Sequence, residues 1–367
     1  MTDRTRGRAL LRWYRAAGRD LPWRRTMEPW AIWVSEIMLQ QTTVATVAPR
    51  WKRFLARFPT VEAIARAPER EVLAEWAGLG YYARARNLRK AARAVAAAGA
   101  FPRTLDGWSA LPGVGPYTAA AVASICFRVP AAVVDGNVAR VLARVHALRL
   151  DPKSAAGRRR IRAAADATLL SSCPGDSNQA LMELGATICT PRAPRCTICP
   201  IRAGCLGRRT GRPESFPKTS KKRASRTVRL VAGLAFRNGH MLLVEDSQLV
   251  RGQLSVPLFR VPARRRPATV LRREWEDVAG RKAAALEPLG VLRHSVMNRR
   301  YFVDVFTLEE EAPSLSSRGP KAKRHLESRG ATRPRVRLLR PRDLSLRPHG
   351  GLLLKVLDLA GKRTPGS

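Results

Sequence analysis

Two glycines in the stretch Leu111-Pro-Gly-Val-Gly-Pro-Tyr-Thr-Ala119 constrain this chain more than any other feature. Gly113 and Gly115 stand between a short helical pattern ending near Leu111 and a longer, alanine-rich one from Tyr117 to about Phe127. Glycine permits a tight helix-to-helix turn, and without Cβ atoms the backbone N–H groups can approach an anion at the start of the second helix, where the dipole favours negative charge. A plain helix corner is the default for Gly-x-Gly alone, but a second segment about twenty residues downstream shifts the balance. In Val133-Val-Asp-Gly-Asn137 an aspartate precedes a helix whose apolar positions Val138, Val141, Leu142, Val145 and Leu148 keep helical spacing. Asp135 alone reads as an N-cap. Behind the glycine hairpin it becomes a carboxylate placed just beyond a backbone phosphate clamp.

The formal charge of +40 points to a polyanionic partner, because neutralising phosphates releases counterions. No apolar run is long enough to span a membrane, and Met1-Thr-Asp-Arg-Thr-Arg6 lacks the core of a signal peptide. The expectation is a soluble, cytoplasmic, nucleoid-associated bacterial monomer. At 367 residues, two domains are expected.

Along the chain, Trp30 to Gln41 reads as a helix with Trp33, Val34, Ile37 and Met38 apolar and Glu36 facing the same way as Gln40. Glu36 is the lone acid in these surroundings. An exposed glutamate is the ordinary reading, but in an apolar pocket its pKa rises and it becomes a candidate general acid. Tyr81 and Tyr82, beside Arg84 and Arg86, can wedge and grip a duplex. The alternative is core packing of one tyrosine and solvent for the other. Cys189, Cys196, Cys199 and Cys205 are spaced x6, x2, x5 and can enclose one metal centre, zinc or an iron–sulfur cluster. Cys126 and Cys173 read as packed thiols.

Residues 208–227 are basic and almost free of acid, as in a linker. Beyond them Val228–Phe236 and Met241–Glu245 read as strands of a hairpin turning at Asn238-Gly239, with a helix near 267–279 and strands near 289–307. The expected fold is therefore all-α over 1–207, including the cysteine loop at 189–205, then α+β over 228–360, with a disordered tail at 361–367.

The hairpin and its trailing aspartate resemble those of the helix-hairpin-helix DNA glycosylase superfamily. The combination of Leu21-Pro-Trp-Arg24, Trp33-Val-Ser-Glu-Ile-Met-Leu-Gln-Gln-Thr42, Trp76-Ala-Gly-Leu-Gly-Tyr-Tyr-Ala-Arg84, Val134-Asp-Gly-Asn-Val-Ala-Arg140, Asn178-Gln-Ala-Leu-Met-Glu-Leu-Gly185 and the cysteine loop is similar to the MutY family of adenine DNA glycosylases. The resemblance implies removal of adenine mispaired with 8-oxoguanine or guanine in double-stranded DNA, a [4Fe–4S] cluster on Cys189, Cys196, Cys199 and Cys205, and Glu36 as the acid that protonates the flipped base. It implies that Asp135 stabilises the cationic sugar, that Tyr117 and Asn137 position these groups, and that Trp23, Arg24, Trp30 and Glu183 line the adenine pocket. Gln40, Gln41 and Tyr82 would fill the gap and contact the opposite base. A tyrosine at 117, where bifunctional relatives carry lysine, cannot form a Schiff base, so hydrolysis without strand cleavage is expected.

The carboxy-terminal part resembles the family's Nudix-like module, which recognises 8-oxoguanine. Its Arg273-Glu-Trp-Glu-Asp-Val-Ala-Gly280 helix carries Val278 where a metal-binding glutamate is usual, so no Mg²⁺ site or diphosphate hydrolysis is expected. Val296-Met297-Asn298 stands where the family has Phe-Ser-His, with Asn298 as the candidate lesion reader and Ser295 or Arg299 as candidate helpers. Two other readings stay open, a thymine-mismatch glycosylase of the same superfamily and a catalytically idle damage-binding protein.

Overall fold

The computed structural model describes residues 2–218, 225–247, 250–296, 299–311, 335–346 and 351–361. Asn298 lies outside the described residues. The chain divides into two compact units, residues 1–67 with 83–221, and residues 68–82 with 222–367.

The first unit is helical: α1 (Asp3–Ala17), α2 (Pro29–Leu39), α3 (Val44–Arg57), α4 (Val61–Arg66), then α6 (Ala83–Ala98), α7 (Leu105–Ser109), α8 (Pro116–Phe127), α9 (Gly136–Val145), α10 (Ala155–Thr168), α11 (Pro174–Thr187) and α12 (Leu206–Arg209), while α5 (Glu69–Glu75) belongs to the second unit. Helices α2 and α8 are buried almost all round, which explains why neither carries a polar stripe. Gly113 takes φ +75°, the left-handed conformation the turn into α8 needs, and Gly115 is the α8 N-cap with Pro116 at the first helical position. Asn178 on α11 fixes the extended segment leading to α9. Its Oδ1 accepts from Val133 N–H at 3.0 Å, and its Nδ2 donates to Ser124 Oγ at 2.9 Å and to the Ala131 carbonyl at 2.8 Å. The segment read as a linker begins as packed structure, since Phe216 is buried and its carbonyl accepts from Arg144 Nε at 3.2 Å.

The second unit is α+β. One sheet runs β5 (Leu258–Arg260), β1 (Arg226–Leu234), β7 (Arg299–Glu310), β6 (Ala283–Val296), with β1 and β7 parallel. The other holds β2 (Phe236–Arg237), β3 (His240–Ser247) and β4 (Val250–Ser255), with β8 (Arg335–Leu339) paired to β3. The expected long hairpin is thus corrected. Phe236 and Arg237 pair back across Asn238-Gly239, whose φ values of 48° and 74° are those of a primed turn, and Leu242 N–H donates to the Ala235 carbonyl at 2.9 Å, while β1 pairs in the other sheet. Alternation along β1 sends Val231 and Ala235 toward α13 (Pro267–Ala279) and Leu230, Ala232 and Leu234 toward α14 (Gly351–Gly361). Gly233 lets the Trp275 ring lie on the sheet, because a Cβ there would meet it at 2.6 Å.

Candidate active site

A cavity of about 210 Å³ in the first unit gathers residues from several separate segments. Trp23 and Arg24 come from the short turn after α1, Glu36 from α2, Tyr117 from the start of α8, Asp135 and Asn137 from the start of α9, and Met182 and Glu183 from α11. The Glu36 face of α2 is set by helical spacing, since Ile32, Ser35, Glu36 and Leu39 all line the cavity.

Glu36 is 6% exposed, and its Oε2 has no hydrogen-bond partner among the described residues. Burial pushes its carboxyl up to about 7, against the Tyr117 hydroxyl and with help from the nearby Asp135 charge, while Arg24 opposes the rise. A carboxyl poised there can give or take a proton at neutral pH. Burial also holds the Tyr117 phenol well above its ordinary value, so it stays a proton donor, here to Met182 Sδ at 3.3 Å.

Asp135 carries both readings of its sequence position. Its Oδ1 accepts from Val138 N–H at 2.7 Å as the α9 N-cap, and its Oδ2 accepts from Asn137 Nδ2 at 3.0 Å. Burial raises its pKa, while those two donors work against the rise. Asn137 is held in turn by Arg140, whose Nη2 donates to Asn137 Oδ1 and to the Gly185 carbonyl, both at 2.8 Å.

Glu183 is a structural anion of the pocket wall. Its Oε1 accepts from Arg19 Nε at 2.6 Å and its Oε2 from Arg24 Nη2 at 2.8 Å. Burial alone would raise its pKa, yet the two guanidinium groups hold it below the usual value. Arg19 lies outside the motifs the sequence offers, and only its place four residues before Trp23 hints at it.

Trp30 does not line this cavity. It is a core residue whose Nε1 donates to the Phe58 carbonyl at 2.9 Å and whose ring packs edge-on against Trp33. Gln40 and Gln41 follow the end of α2 and do not line the cavity: Gln40 Nε2 donates to Thr118 Oγ1 at 3.3 Å, and exposed Gln41 takes φ 57°. Arg84 does not reach outward as a duplex grip, because its Nη1 donates to the Ile37 and Gln40 carbonyls at 2.7 and 2.6 Å. Tyr82 is 6% exposed and Tyr81 43% exposed.

The four clustered cysteines are free thiols and wall one small apolar cavity with Val141, Arg144 and Ile201. Among the described residues no group of three or more His, Cys, Asp or Glu side chains is set around a single metal ion. Arg144, which no sequence motif singles out, is 2% exposed and organises the loop. It donates to the Thr190 carbonyl at 2.7 Å, the Pro191 carbonyl at 2.9 Å and Cys189 Sγ at 3.3 Å.

With this geometry in place, the chain can be set beside known proteins. Residues 34–164 match the HhH-GPD superfamily of base excision DNA repair proteins. The adenine DNA glycosylase of Mycolicibacterium smegmatis is 41% identical over 265 residues, covering 70% of this chain and 86% of that protein. The adenine DNA glycosylase of Homo sapiens is 47% identical over 211 residues, 54% of this chain, which spans only 39% of that protein's length. A solved thermostable thymine-DNA glycosylase is 30% identical with a TM-score of 0.52, covering 57% of this chain and 97% of that one.

Proposed function

Since the chain belongs to the adenine DNA glycosylase family, we propose that it hydrolyses the N-glycosidic bond of adenine mispaired with 8-oxoguanine or guanine and leaves an abasic site. The observation that carries this reading is the pairing of Glu36, poised at about 7, with the hydrogen-bonded Asp135 in one cavity. Two carboxyls whose surroundings set them apart are what acid-assisted glycoside cleavage needs.

In this mechanism the adenine leaves the stack and enters the cavity between Trp23 and the α11 wall, a step that mispairing makes easier. Glu36 gives its proton to the purine ring, the bond from sugar to base breaks, and the electrons leave with the base. Asp135 faces the cationic sugar, oriented by Val138 N–H and Asn137. Water adds to the sugar, and its proton returns to Glu36. Tyr117 remains protonated and has no amine to attack the sugar, which favours hydrolysis without strand cleavage.

The four thiols that share one cavity fit a [4Fe–4S] cluster, one thiolate for each iron corner, with Arg144 and Arg140 tying the loop to α9. Bound there, the cluster would supply fold stability and a fixed surface for phosphate, and no step of the hydrolysis passes through it. On the same reading the second unit is the Nudix-like module that contacts the opposite base, and Val278 stands where a metal-binding glutamate is usual.

Single-turnover release of adenine from duplexes pairing A with 8-oxoguanine, G or T tests the assignment. Adenine release that requires Glu36 supports it. Release of thymine opposite G, with adenine left on its sugar, would place the chain with the thymine-mismatch enzymes instead.

A further inference from the structure

A second cleft of the first unit takes no part in the chemistry just described. It measures about 380 Å³, within the range of small-molecule sites, and is larger than the cavity of about 210 Å³ that holds Glu36. The two hollows share four lining residues, Trp23, Arg24, Ile125 and Gln179, so one layer of side chains stands between them.

Helices α8 and α11 explain the arrangement, because each runs from one hollow to the other, in opposite senses. Tyr117 lines only the Glu36 cavity, Arg128 just past the end of α8 lines only the cleft, and Ile125 lies at the boundary. Tyr117 and Ile125 are separated along α8 by about 12 Å at the helical rise of roughly 1.5 Å per residue. On α11, Gly175 and Asp176 line only the cleft, Met182 and Glu183 only the cavity, and Gln179 both, at spacings that put all five on one face. The helices close up at the cleft end, where a Cβ on Gly175 would meet Ile125 Cα at 2.8 Å. The cleft therefore lies behind the cavity, at the opposite end of α8 from Tyr117 and the hairpin glycines.

Arg24 is a fixed part of the dividing layer. Its Nη1 donates to the Arg19 carbonyl at 3.0 Å, its Nη2 donates to Glu183 at 2.8 Å, and its guanidinium carbon lies 5.2 Å from the centre of the Tyr14 ring. Gln179 is the movable part, half-buried, with no side-chain hydrogen bond among the described residues. The charges of the cleft are mostly compensated. Arg15 pairs with Asp176 at 3.1 Å and Arg24 with Glu183, which leaves Arg128. A flat, uncharged molecule with hydrogen-bonding edges suits such a lining better than an anion does. Asp176, Ser172 and Gln179 offer edge partners, and Met27, 55% exposed at the rim, offers a polarisable apolar contact.

A purine base has that character. On the adenine glycosylase reading, on which this inference rests, the flipped base arrives attached to the duplex, and the duplex then covers the opening it came through. Once the bond to the sugar is broken, the base is enclosed between the abasic strand and the dividing layer. We propose that the cleft receives the freed purine base and is its way out, past Gln179, while the abasic duplex stays bound. Hydrolysis is complete before this step, and no bond changes in it.

A single-turnover reaction of the full chain with a duplex carrying radiolabelled adenine opposite 8-oxoguanine reads this out on two clocks. Alkali quenching counts broken bonds, and filtration through nitrocellulose, which keeps the protein and its bound duplex, counts base that has reached solution. In the native chain free base is expected at the rate of bond breaking, with the abasic duplex still retained. The double variant Met27→Trp/Ser172→Trp plugs the mouth of the cleft at two exposed positions outside the Glu36 cavity. It should break the bond within about twofold of the native rate, yet delay free base by about tenfold or more, until the duplex leaves. Met27→Ala/Ser172→Ala should behave as the native chain does. Base that leaves the native complex only together with the duplex overturns the route without any variant, and so does a plugged chain that frees base as fast as the native one. No bond breaking at all in the native chain would instead sink the adenine glycosylase reading, and this route with it.

Discussion

Gly185 on α11 lies against Asn137 on α9 so closely that a Cβ on the glycine would meet the Asn137 Cβ at 2.6 Å and its backbone at 3.1 Å. This contact sets the distance between the helix bearing the cavity wall and the residue that orients Asp135. In Gly185→Ala the backbone has to move, because the atoms it meets include main chain. We expect single-turnover adenine release to fall by about tenfold to a hundredfold, as sub-ångström misplacement of a catalytic group does, with duplex affinity nearly kept. A rate within twofold of native would show that the helices separate without disturbing Asn137.

Glu36→Gln makes opposite predictions for rate and stability. Loss of the acid should lower single-turnover release by about 10²–10⁴-fold, and the native rate should fall as pH rises through about 7, where Glu36 loses its proton. The folded-state pKa is raised, so the favourable contribution of the neutral carboxyl is complete below its ordinary value of 4.5 and is lost as pH climbs to about 7. The rise corresponds to about 3 kcal/mol as an upper bound. Glutamine never ionises, so the variant should gain stability relative to native between pH 4.5 and 7 and keep that gain above it. Urea unfolding at pH 5 and pH 8 measures this, and a difference between the proteins that stays the same at both pH values contradicts the burial account.

Part of this candidate site was legible because Tyr117, Asp135 and Asn137 fall at element starts, where capping and turn chemistry mark the sequence. Asp135 is at once the N-cap of α9 and a cavity residue, and Gly113 shows the positive φ its hairpin demands. Trp30 lies outside the cavity lining for a reason found in α2 itself. Every residue from Trp30 to Met38 is buried, so hydrophobic periodicity cannot say which face meets the cavity and which meets Phe58 and Trp33. Arg19 and Arg144 were hidden among many arginines, since only tertiary contacts with Glu183 and with the Cys189 loop distinguish them. The grouping of residues 68–82 with the second unit has no local signature, because it depends on contacts distant in sequence.

Arg144→Met tests the cysteine loop. The substitution keeps apolar bulk but strands the Thr190 and Pro191 carbonyls that the guanidinium satisfies at 2.7 and 2.9 Å. Hydrogen bonds to a charged group contribute on the order of 1.5–3 kcal/mol each, so a marked loss is expected. Iron bound per chain and the melting temperature should both drop. Full iron content with an unchanged melt would mean that the four cysteines hold their group without this arginine.

Gly113→Ala separates a phosphate grip from a plain turn. The residue sits at φ +75°, and a Cβ would meet the Asn87 Cβ at 2.5 Å. The left-handed conformation costs an L-residue about 1–2 kcal/mol before that contact is counted. The turn must therefore shift, carrying with it the N–H groups at the start of α8. If those groups hold backbone phosphate, duplex affinity should weaken by about tenfold and by the same factor whether the base opposite adenine is 8-oxoguanine or G, since phosphate contacts do not read sequence. Release from the fully bound complex should change much less, because Glu36 and Asp135 sit on α2 and at the head of α9. Affinity measured by gel shift and rate measured at saturating enzyme give the two numbers separately. A lower melting temperature with unaltered affinity would reduce the hairpin to a helix corner and leave duplex binding to other basic surfaces.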